Sequence, residues 1–398
     1  MSRTWRNWSG SVVSRPRRWL KPPSEERLQE QLAATADEDW PVRVVGAGHS
    51  SSGVIEVPGT LVSLEQLRGV LSVDGSRRQA TVYAGTQIQD LGRELYNHDL
   101  TLPNFGDVAT QTIGGAIGTA THGTGRRLQN LSQLMVKAWV ATADGGLREV
   151  DADEADALRA LQVSMGTLGI ITRMTLQLQP YFDVERREYA ARTDDALEHF
   201  NELVEENRSF DFYWYPRRDD VKLRLVNAIG GGTARPPYGR EVEHRAGHPF
   251  EVIPTHTGIP HHFEECEYAL PIENGLACFA QVRQRILQRW RHLVGWRVLV
   301  RTVGGDDAWL SPHHGRDSMT ISLHQNSTLP WRDFFEDIEP VFQAFEGRPH
   351  WGKKHSMTAA ALAPRYPQWT RFAELRRSFD PTGVFMSPAM RILLGDDA

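Results

Sequence analysis

Cysteine is nearly absent from this chain: Cys266 and Cys278 are the two among 398 residues. They form no CxxC pair, so neither a zinc ribbon nor a thioredoxin-type redox motif can be built, and no metal site is expected. A reduced, cytoplasmic setting fits this usage. Long apolar runs are also missing. None approaches the roughly 18–20 residues needed to span a bilayer, so no membrane partner is expected. The N-terminal Met1-Ser-Arg-Thr-Trp-Arg-Asn-Trp8 is basic but has no apolar stretch behind it, and it does not read as a secretory signal. Concentrated positive charge is lacking too. The formal net charge is −5 and Arg is scattered, so nothing calls for a nucleic-acid partner. No internal repeat or low-complexity tract is visible.

What is present is ordinary globular material, 40% hydrophobic and 24% charged. The length exceeds one compact core, since domains usually run to ~100–200 residues, and two domains are expected. The first half alternates short strands and helices. Ser24 is placed to cap a helix that carries Leu28 and Leu32 on one face. Pro41–Val45 and Gln79–Ala84 read as strands, and Thr86 and Gln89 have capping-box spacing before Ile88, Leu91 and Leu95. Thr142-Ala-Asp-Gly-Gly146 is a turn between strands Val136–Ala141 and Leu147–Val150. Met174, Leu176 and Leu178 alternate with polar residues in a half-buried strand. Beyond Pro180 the pattern predicts a helix over Asp194–Asn207, strands Phe210–Tyr215 and Val221–Val226, and a loop over Gly230–Gly239. Strand Glu264–Leu270, helix Leu276–Leu293, strands Trp296–Thr302 and Ser318–His324 and helix Trp331–Phe345 follow. Together they suggest an α+β unit on a largely antiparallel sheet. The tail from Tyr366 reads as mostly helical, with a turn at Asp380-Pro-Thr-Gly383.

Two motifs carry chemistry. In Val44-Val-Gly-Ala-Gly-His-Ser-Ser51 a β-branched strand runs into two glycines, which lets successive backbone N–H groups converge on an anion such as a pyrophosphate. A Rossmann fingerprint is excluded: the third glycine is replaced by Ser51, and Val54-Ile-Glu-Val-Pro58 cannot continue as a helix. In Thr112-Ile-Gly-Gly-Ala-Ile-Gly-Thr-Ala-Thr-His-Gly-Thr-Gly125 a run of small residues lets a flat or extended ligand lie against backbone, and tight helix–sheet packing is the plainer alternative.

Taken together, these motifs resemble the FAD-binding domain of the vanillyl-alcohol oxidase superfamily, in particular its sugar-alcohol and aldonolactone branch. The resemblance runs along nearly the whole chain. It includes Trp5-Arg-Asn-Trp8, Gly48-His49-Ser50, Leu102-Pro-Asn104, Gly118–Gly123, Ala143-Asp-Gly145 and Leu168-Gly169. It continues through Arg301-Thr302, Ala308–Pro312, Gly315-Arg-Asp317, His350-Trp-Gly-Lys353 and Phe379–Gly383. The fold it implies is α+β with two domains: a PCMH-type FAD-binding domain over residues 1–180 and a substrate (cap) domain over 181–350, built on a large antiparallel sheet covered by helices. A segment over 351–398 would complete the active site.

The resemblance implies FAD bound covalently through His49. Val44, Val45, Gly46, Ala47, Gly48, Ser50 and Ser51 would cradle it, joined by Gly106, Asp107, Thr112, Gly115, Thr119, Ala120, Thr121, His122 and Ile170. It places Arg301 and Lys353 over the substrate face, where fixed cations stabilise charge developing on the substrate oxygen. No second attachment cysteine matches. Gly106 stands where relatives that react with O₂ carry glycine, so molecular oxygen is the expected acceptor.

Three positions depart from the alditol oxidase pattern. Leu299 replaces a glutamate, Asp107 a serine and His324 a threonine. Asp107 and His324 join the catalytic candidates on that account, and a carboxylate at Asp107 opens the alternative of a cationic or larger substrate such as an amino sugar. The main expectation is a small hydroxylated substrate, a sugar alcohol or aldonolactone, oxidised at CH–OH. A same-fold NADPH reductase is opposed by His49, and a non-catalytic flavin-binding protein by Arg301 and Lys353. The oligomeric state stays open, a monomer being compatible.

Overall fold

The structure is a computed structural model and describes residues 4–231, 236, 238–255 and 262–395. The predicted loop over Gly230–Gly239 falls partly outside these residues. Two sheets dominate. A five-stranded antiparallel sheet in the first half has the spatial order Leu147–Val150, Met135–Ala141, Ile170–Gln177, Gln79–Tyr83, Val70–Asp74. Beside it lies a parallel three-stranded sheet of Arg18–Leu20, Thr60–Ser63 and Val42–Val45. The second half builds an eight-stranded sheet ordered Arg240–Gly247, Val184–Arg192, Asp220–Ala228, Ser209–Tyr215, Val298–Val303, Ser318–Asn326, Phe263–Pro271 and Arg348–Pro349. Every neighbouring pair in it is antiparallel.

Local signals mostly act as read. Ser24 accepts from the Arg27 N–H at the start of helix Glu25–Ala33, which buries Leu28 and Leu32. The turn at 142–146 closes a hairpin with Leu147 opposite Ala141. Gly383 N donates to the Asp380 carbonyl between helices Trp369–Phe379 and Pro388–Leu394.

Four readings need correction. No capping box forms before Ile88–Tyr96: the cap is Gln87, without a side-chain bond. Thr86 Oγ1 instead donates to the Tyr83 carbonyl and accepts from Gly69 N, a competing local bond that the spacing does not reveal. The single helix over 194–207 is two, Thr193–Glu198 and Phe200–Glu206, broken at His199. The helix expected over 276–293 starts at Ile272, ends at Arg285 and gives way to a π turn at Ile286–Trp290. Strand Arg240–Gly247 was not anticipated. It is an edge strand with solvent on both faces, so no apolar alternation marks it.

The eight-stranded sheet has two unlike faces. Helices Ile272–Arg285 and Arg332–Ala344 cover one, where Tyr268 stacks on Phe342 and Phe212 meets Phe279 edge-on. The period-2 alternation of strands therefore turns Glu265, Glu267, Ser322, His324, Leu299 and Arg301 to the other face, toward the first half. Gly125 N donates to the Thr302 carbonyl and Thr124 Oγ1 to the Phe210 carbonyl, tying the second glycine-rich motif to that face.

Candidate active site

The strand Val42–Val45 delivers Gly46–Ser51 to the head of a groove of about 920 Å³, open solvent at its mouth included. Gly48 has φ +72, a conformation that side chains resist, and a Cβ there would press on the Trp5 ring at 3.0 Å. Gly46 is needed for a different reason. Its Cβ would lie 1.9 Å from Thr112 Oγ1, so the first motif can meet the second only without a side chain here. Among the described residues, the N–H groups of Ala47, Gly48, His49 and Ser50 donate to nothing. Four successive unpaired donors over a glycine floor make an anion cradle and fit a diphosphate.

The expected cradle residues divide. Val44 through Ser50, Thr112, Gly115 and Thr119 line the groove, which Ser164, Met165 and Gly166 close. Ser51 does not line it; its N–H is bound to the Gly352 carbonyl. Ile170 is turned into the core and its neighbour Ile171 forms the wall. Ala120 is buried and lines neither this groove nor the next cavity.

A second cavity of about 600 Å³, solvent again included, adjoins the first. Gly106, Asp107, Thr121 and His122 line it on one side and Glu265, Glu267, Leu299, Arg301 and His324 on the other. His350, Gly352 and Lys353 close it. They are positioned because Ser51 N and Ser52 Oγ bond to the carbonyls of Gly352 and Trp351. His49, Ser50, Gln111 and Thr119 line both spaces. His49 thus stands at the junction, its Nε2 3.0 Å from Thr110 Oγ1. Burial, seconded by the Lys353 charge, holds its imidazole down at about 4, so the ring is neutral and keeps a nucleophilic lone pair near pH 7.

Both expected cations are present and both are paired with carboxylates that the sequence reading missed. Arg301 Nη2 donates to Glu267 Oε1 at 2.7 Å, and Lys353 Nζ donates to Glu265 Oε2. His122 Nε2 lies 2.9 Å from Glu267 Oε1, and His324 Nε2 lies 3.2 Å from Glu265 Oε1. Burial would raise either carboxyl. For Glu265 the charges of Lys353 and His324 win, and for Glu267 those of Arg301 and His122, so both sit below the usual carboxylate range and are ionised. Burial lowers His350 to about 3, and its Nδ1 accepts from the Gly352 N–H, which leaves Nε2 as the protonated nitrogen. Phe263-Glu-Glu-Cys-Glu-Tyr268 carried the overlooked signal: residues 265 and 267 share a strand face.

Asp107 lines the cavity, but its carboxylate is already engaged. It accepts from Arg224 Nη1 at 2.9 Å and from Tyr213 OH at 2.8 Å. Arg224 also chelates Asp211. The carboxylate expected to bind an ammonium is already held from behind by Arg224, which it shares with Asp211. Leu299 is buried, as an apolar patch of wall.

A diphosphate cradle that runs into a cavity of buried, paired charges, with a neutral histidine between them, fits an FAD-dependent oxidoreductase. Comparison with known proteins agrees. Residues 16–151 match the family described as FAD binding domain, and residues 252–393 match D-arabinono-1,4-lactone oxidase. The chain is 34% identical to L-gulono-1,4-lactone dehydrogenase of Mycobacterium tuberculosis (strain ATCC 25618 / H37Rv), covering 99% of this chain and 100% of the relative. It is 30% identical to alditol oxidase of Streptomyces sp. (strain IKD472 / FERM P-14339), with the same coverage. A cholesterol oxidase from B. sterolicum shares the fold, with TM-score 0.85 at 15% identity over 99% of this chain and 97% of that one. The chain belongs to the D-arabinono-1,4-lactone oxidase branch of the vanillyl-alcohol oxidase superfamily.

Proposed function

We propose that this protein is an oxidase that removes hydride from a CH–OH carbon of a neutral sugar alcohol or aldonolactone, with FAD joined covalently to His49 and O₂ as electron acceptor. The observation that carries the reading is the place of His49, at the junction of the diphosphate cradle and the cavity that holds Arg301 and Lys353. FAD supplies the two-electron acceptor. The residues of this chain do the rest. His49, kept neutral, is the nucleophile for attachment, and Thr110 orients it. Arg301 and Lys353 offer fixed positive charge to the substrate oxygen as the carbonyl develops. Glu265 and Glu267 hold those cations in place and offset their charge.

The offset bears on substrate class. Each cavity cation faces a carboxylate, and the Asp107 carboxylate is held by Arg224 and Tyr213, so the walls offer paired groups suited to hydroxyls. This favours neutral polyols and lactones over amino sugars. Oxygen reactivity is supported by Gly106 in the cavity wall, which carries no side chain that would bar O₂ from a flavin held there.

In this reading residues 1–180 hold the cofactor, 181–350 form the substrate wall, and 351–398 supply Lys353 and brace the cradle strand through Val384, whose carbonyl accepts from Val42 N. No helix among the described residues is long and apolar enough to cross a membrane, and both cysteines are free and buried. The test is acid precipitation of purified protein followed by intact-mass measurement and a turnover screen. Yellow colour and the added mass of one FAD on the polypeptide, with peroxide released from an alditol or aldonolactone, is the expected result. Flavin left in the supernatant would refute the covalent link, and reduction of a dye without peroxide would make the enzyme a dehydrogenase.

A further inference from the structure

The two buried glutamates of the substrate cavity use their oxygens unequally. Glu265 is saturated. Its Oε1 accepts from Ser322 Oγ and faces His324 Nε2, and its Oε2 accepts from Lys353. Glu267 is not. Its Oε1 takes both Arg301 Nη2 and His122 Nε2, whereas Oε2 accepts no hydrogen bond among the described residues, although the side chain is only 1% exposed. Arg301 Nε is likewise buried without an acceptor. An unmet acceptor and an unmet donor on two paired side chains, both lining one cavity, are costly unless a ligand satisfies them. A hydroxyl group has both functions: its oxygen can accept from a guanidinium N–H and its hydrogen can donate to a carboxylate oxygen. Leu299, in the same cross-strand row as Ser322 and Glu267, offers no competing acceptor.

We propose that Glu267 is the catalytic base: Oε2 accepts the hydroxyl hydrogen of the bound substrate and takes its proton as hydride leaves the same carbon. The inference rests on the CH–OH oxidation proposed above. The C–H bond breaks and its electron pair goes to FAD. The O–H bond breaks, its proton goes to Glu267 Oε2, and its electron pair becomes the second C–O bond of the carbonyl. The substrate loses two electrons and FAD gains two. With O₂ as acceptor, hydrogen peroxide then takes up the hydrogen carried as hydride and this proton.

The charge environment suits the timing. Burial would raise Glu267, but Arg301 and His122 keep it below the ordinary carboxylate range, and His350 adds to them. Such a carboxylate is a weak base toward a resting alcohol. It suffices for an O–H on a carbon that is losing hydride, because that O–H grows steeply more acidic as the C–H bond stretches. Proton transfer thus accompanies C–H cleavage.

The experiment uses flavin-loaded holoenzyme of the wild type, Glu267→Gln and Glu267→Asp, mixed anaerobically with the best alditol or lactone. Flavin bleaching is read in H₂O and D₂O, and equilibrium binding of the carbonyl product is read from the flavin spectrum. Glutamine keeps an acceptor for Arg301 but sets an N–H₂ where Oε2 was. The expected result is bleaching slowed by about 10²–10⁴-fold in Glu267→Gln, the range of a lost general base. Acid-stable flavin content should be unchanged and product bound at least as tightly, since a carbonyl oxygen prefers the amide donor to a carboxylate. Bleaching within about threefold of wild type would overturn the proposal. So would loss of product binding in step with loss of rate, which is what a merely structural Glu267 predicts. If the Gln variant does not fold, Glu267→Asp decides. It keeps the charge for Arg301 and His122 but withdraws the oxygen by one methylene, and unchanged bleaching there refutes the base role. A wild type that bleaches with no alditol or lactone would instead sink the underlying reading of the site.

Discussion

Replacing Arg301 with Met removes one partner of the buried pair at the centre of the site and so tests stability and chemistry together. Arg301 is 8% exposed and bonds Glu267 at 2.7 Å, and its Nη1 lies 3.4 Å from the His122 carbonyl. Leaving a buried charge without its partner typically costs about 3–5 kcal/mol, more than the net worth of the intact pair. His122, 2.9 Å from the same oxygen, remains as partial compensation, so the lower half of that range is expected. The pH dependence follows from the sign of the Glu267 shift. In the wild type the carboxyl is held low, so its contribution is present above the ordinary carboxylate range and is lost only as pH falls through the depressed value. Without Arg301, burial dominates and Glu267 takes up a proton at higher pH. The deficit of Arg301→Met should therefore be full at pH 8 and smaller at pH 5. Denaturant midpoints of the holoenzymes at the two pH values measure it, and Arg301→Met/Glu267→Gln should recover most of the loss at pH 8. Turnover should fall by about 10²–10³-fold in Arg301→Met, the usual cost of one preformed oxyanion partner, and further in the double variant, which also lacks the base. A deficit equal at pH 5 and pH 8, or no recovery in the double variant, would refute the electrostatic account.

His49→Ala should fold and yet carry no acid-stable flavin; denaturing gels read for flavin fluorescence check this. Gly46→Ala forces a Cβ to 1.9 Å from Thr112 Oγ1 and should cost about 1–3 kcal/mol together with flavin retention. Adding Thr112→Ala should restore part of both, measured by absorbance ratio and melting temperature. Gly106→Ala meets only ordinary contacts, at 3.4 Å from the His122 carbonyl and 3.5 Å from Thr121 Cγ2. It should leave melting and substrate-driven bleaching intact while slowing reoxidation by O₂ in stopped flow. Asp306 is pushed up to about 7, chiefly by burial. Its protonated form stabilises the fold below about pH 4, and that advantage is lost as pH rises through 7, with an upper bound of about 4 kcal/mol. Asp306→Asn should flatten the fall in melting temperature between pH 5 and pH 8.

Much of the cofactor side was legible because backbone needs leave marks in sequence. Gly46 and Gly48 follow a β-branched strand, and the close approach of Thr112 to Gly46 explains why the two motifs occur together. Where a wall is made by backbone, as at residues 170 and 171, the sequence could not say which side chain faces the groove. The substrate side was harder. A strand that begins Phe-Glu-Glu-Cys-Glu reads as half solvated, and only the folded chain shows Glu264, Glu265 and Glu267 buried, with Lys353, 88 residues along the chain from Glu265, and Arg301, 34 residues from Glu267, as partners. The partners of Asp107 were hidden for the same reason. Its role depends on Arg224, 117 residues further on, and an isolated carboxylate beside a flavin motif invites a ligand that the fold has already replaced. Capping at Thr86 failed because a short-range hydroxyl bond to the Tyr83 carbonyl competes with the cap, a choice made by packing and not by spacing.

The central claim is that a flavin fixed at His49 takes hydride from a neutral hydroxylated substrate held between Arg301 and Lys353. It is tested most directly by anaerobic mixing of the acid-stable flavoprotein with L-gulono-1,4-lactone, xylitol, sorbitol and their amino-sugar counterparts, while the flavin absorbance is followed. The account predicts full bleaching by at least one neutral lactone or alditol, and weaker or no bleaching by the amino sugars. A flavin that stays oxidised with every neutral compound, or one bleached by the cationic compounds alone, would contradict it.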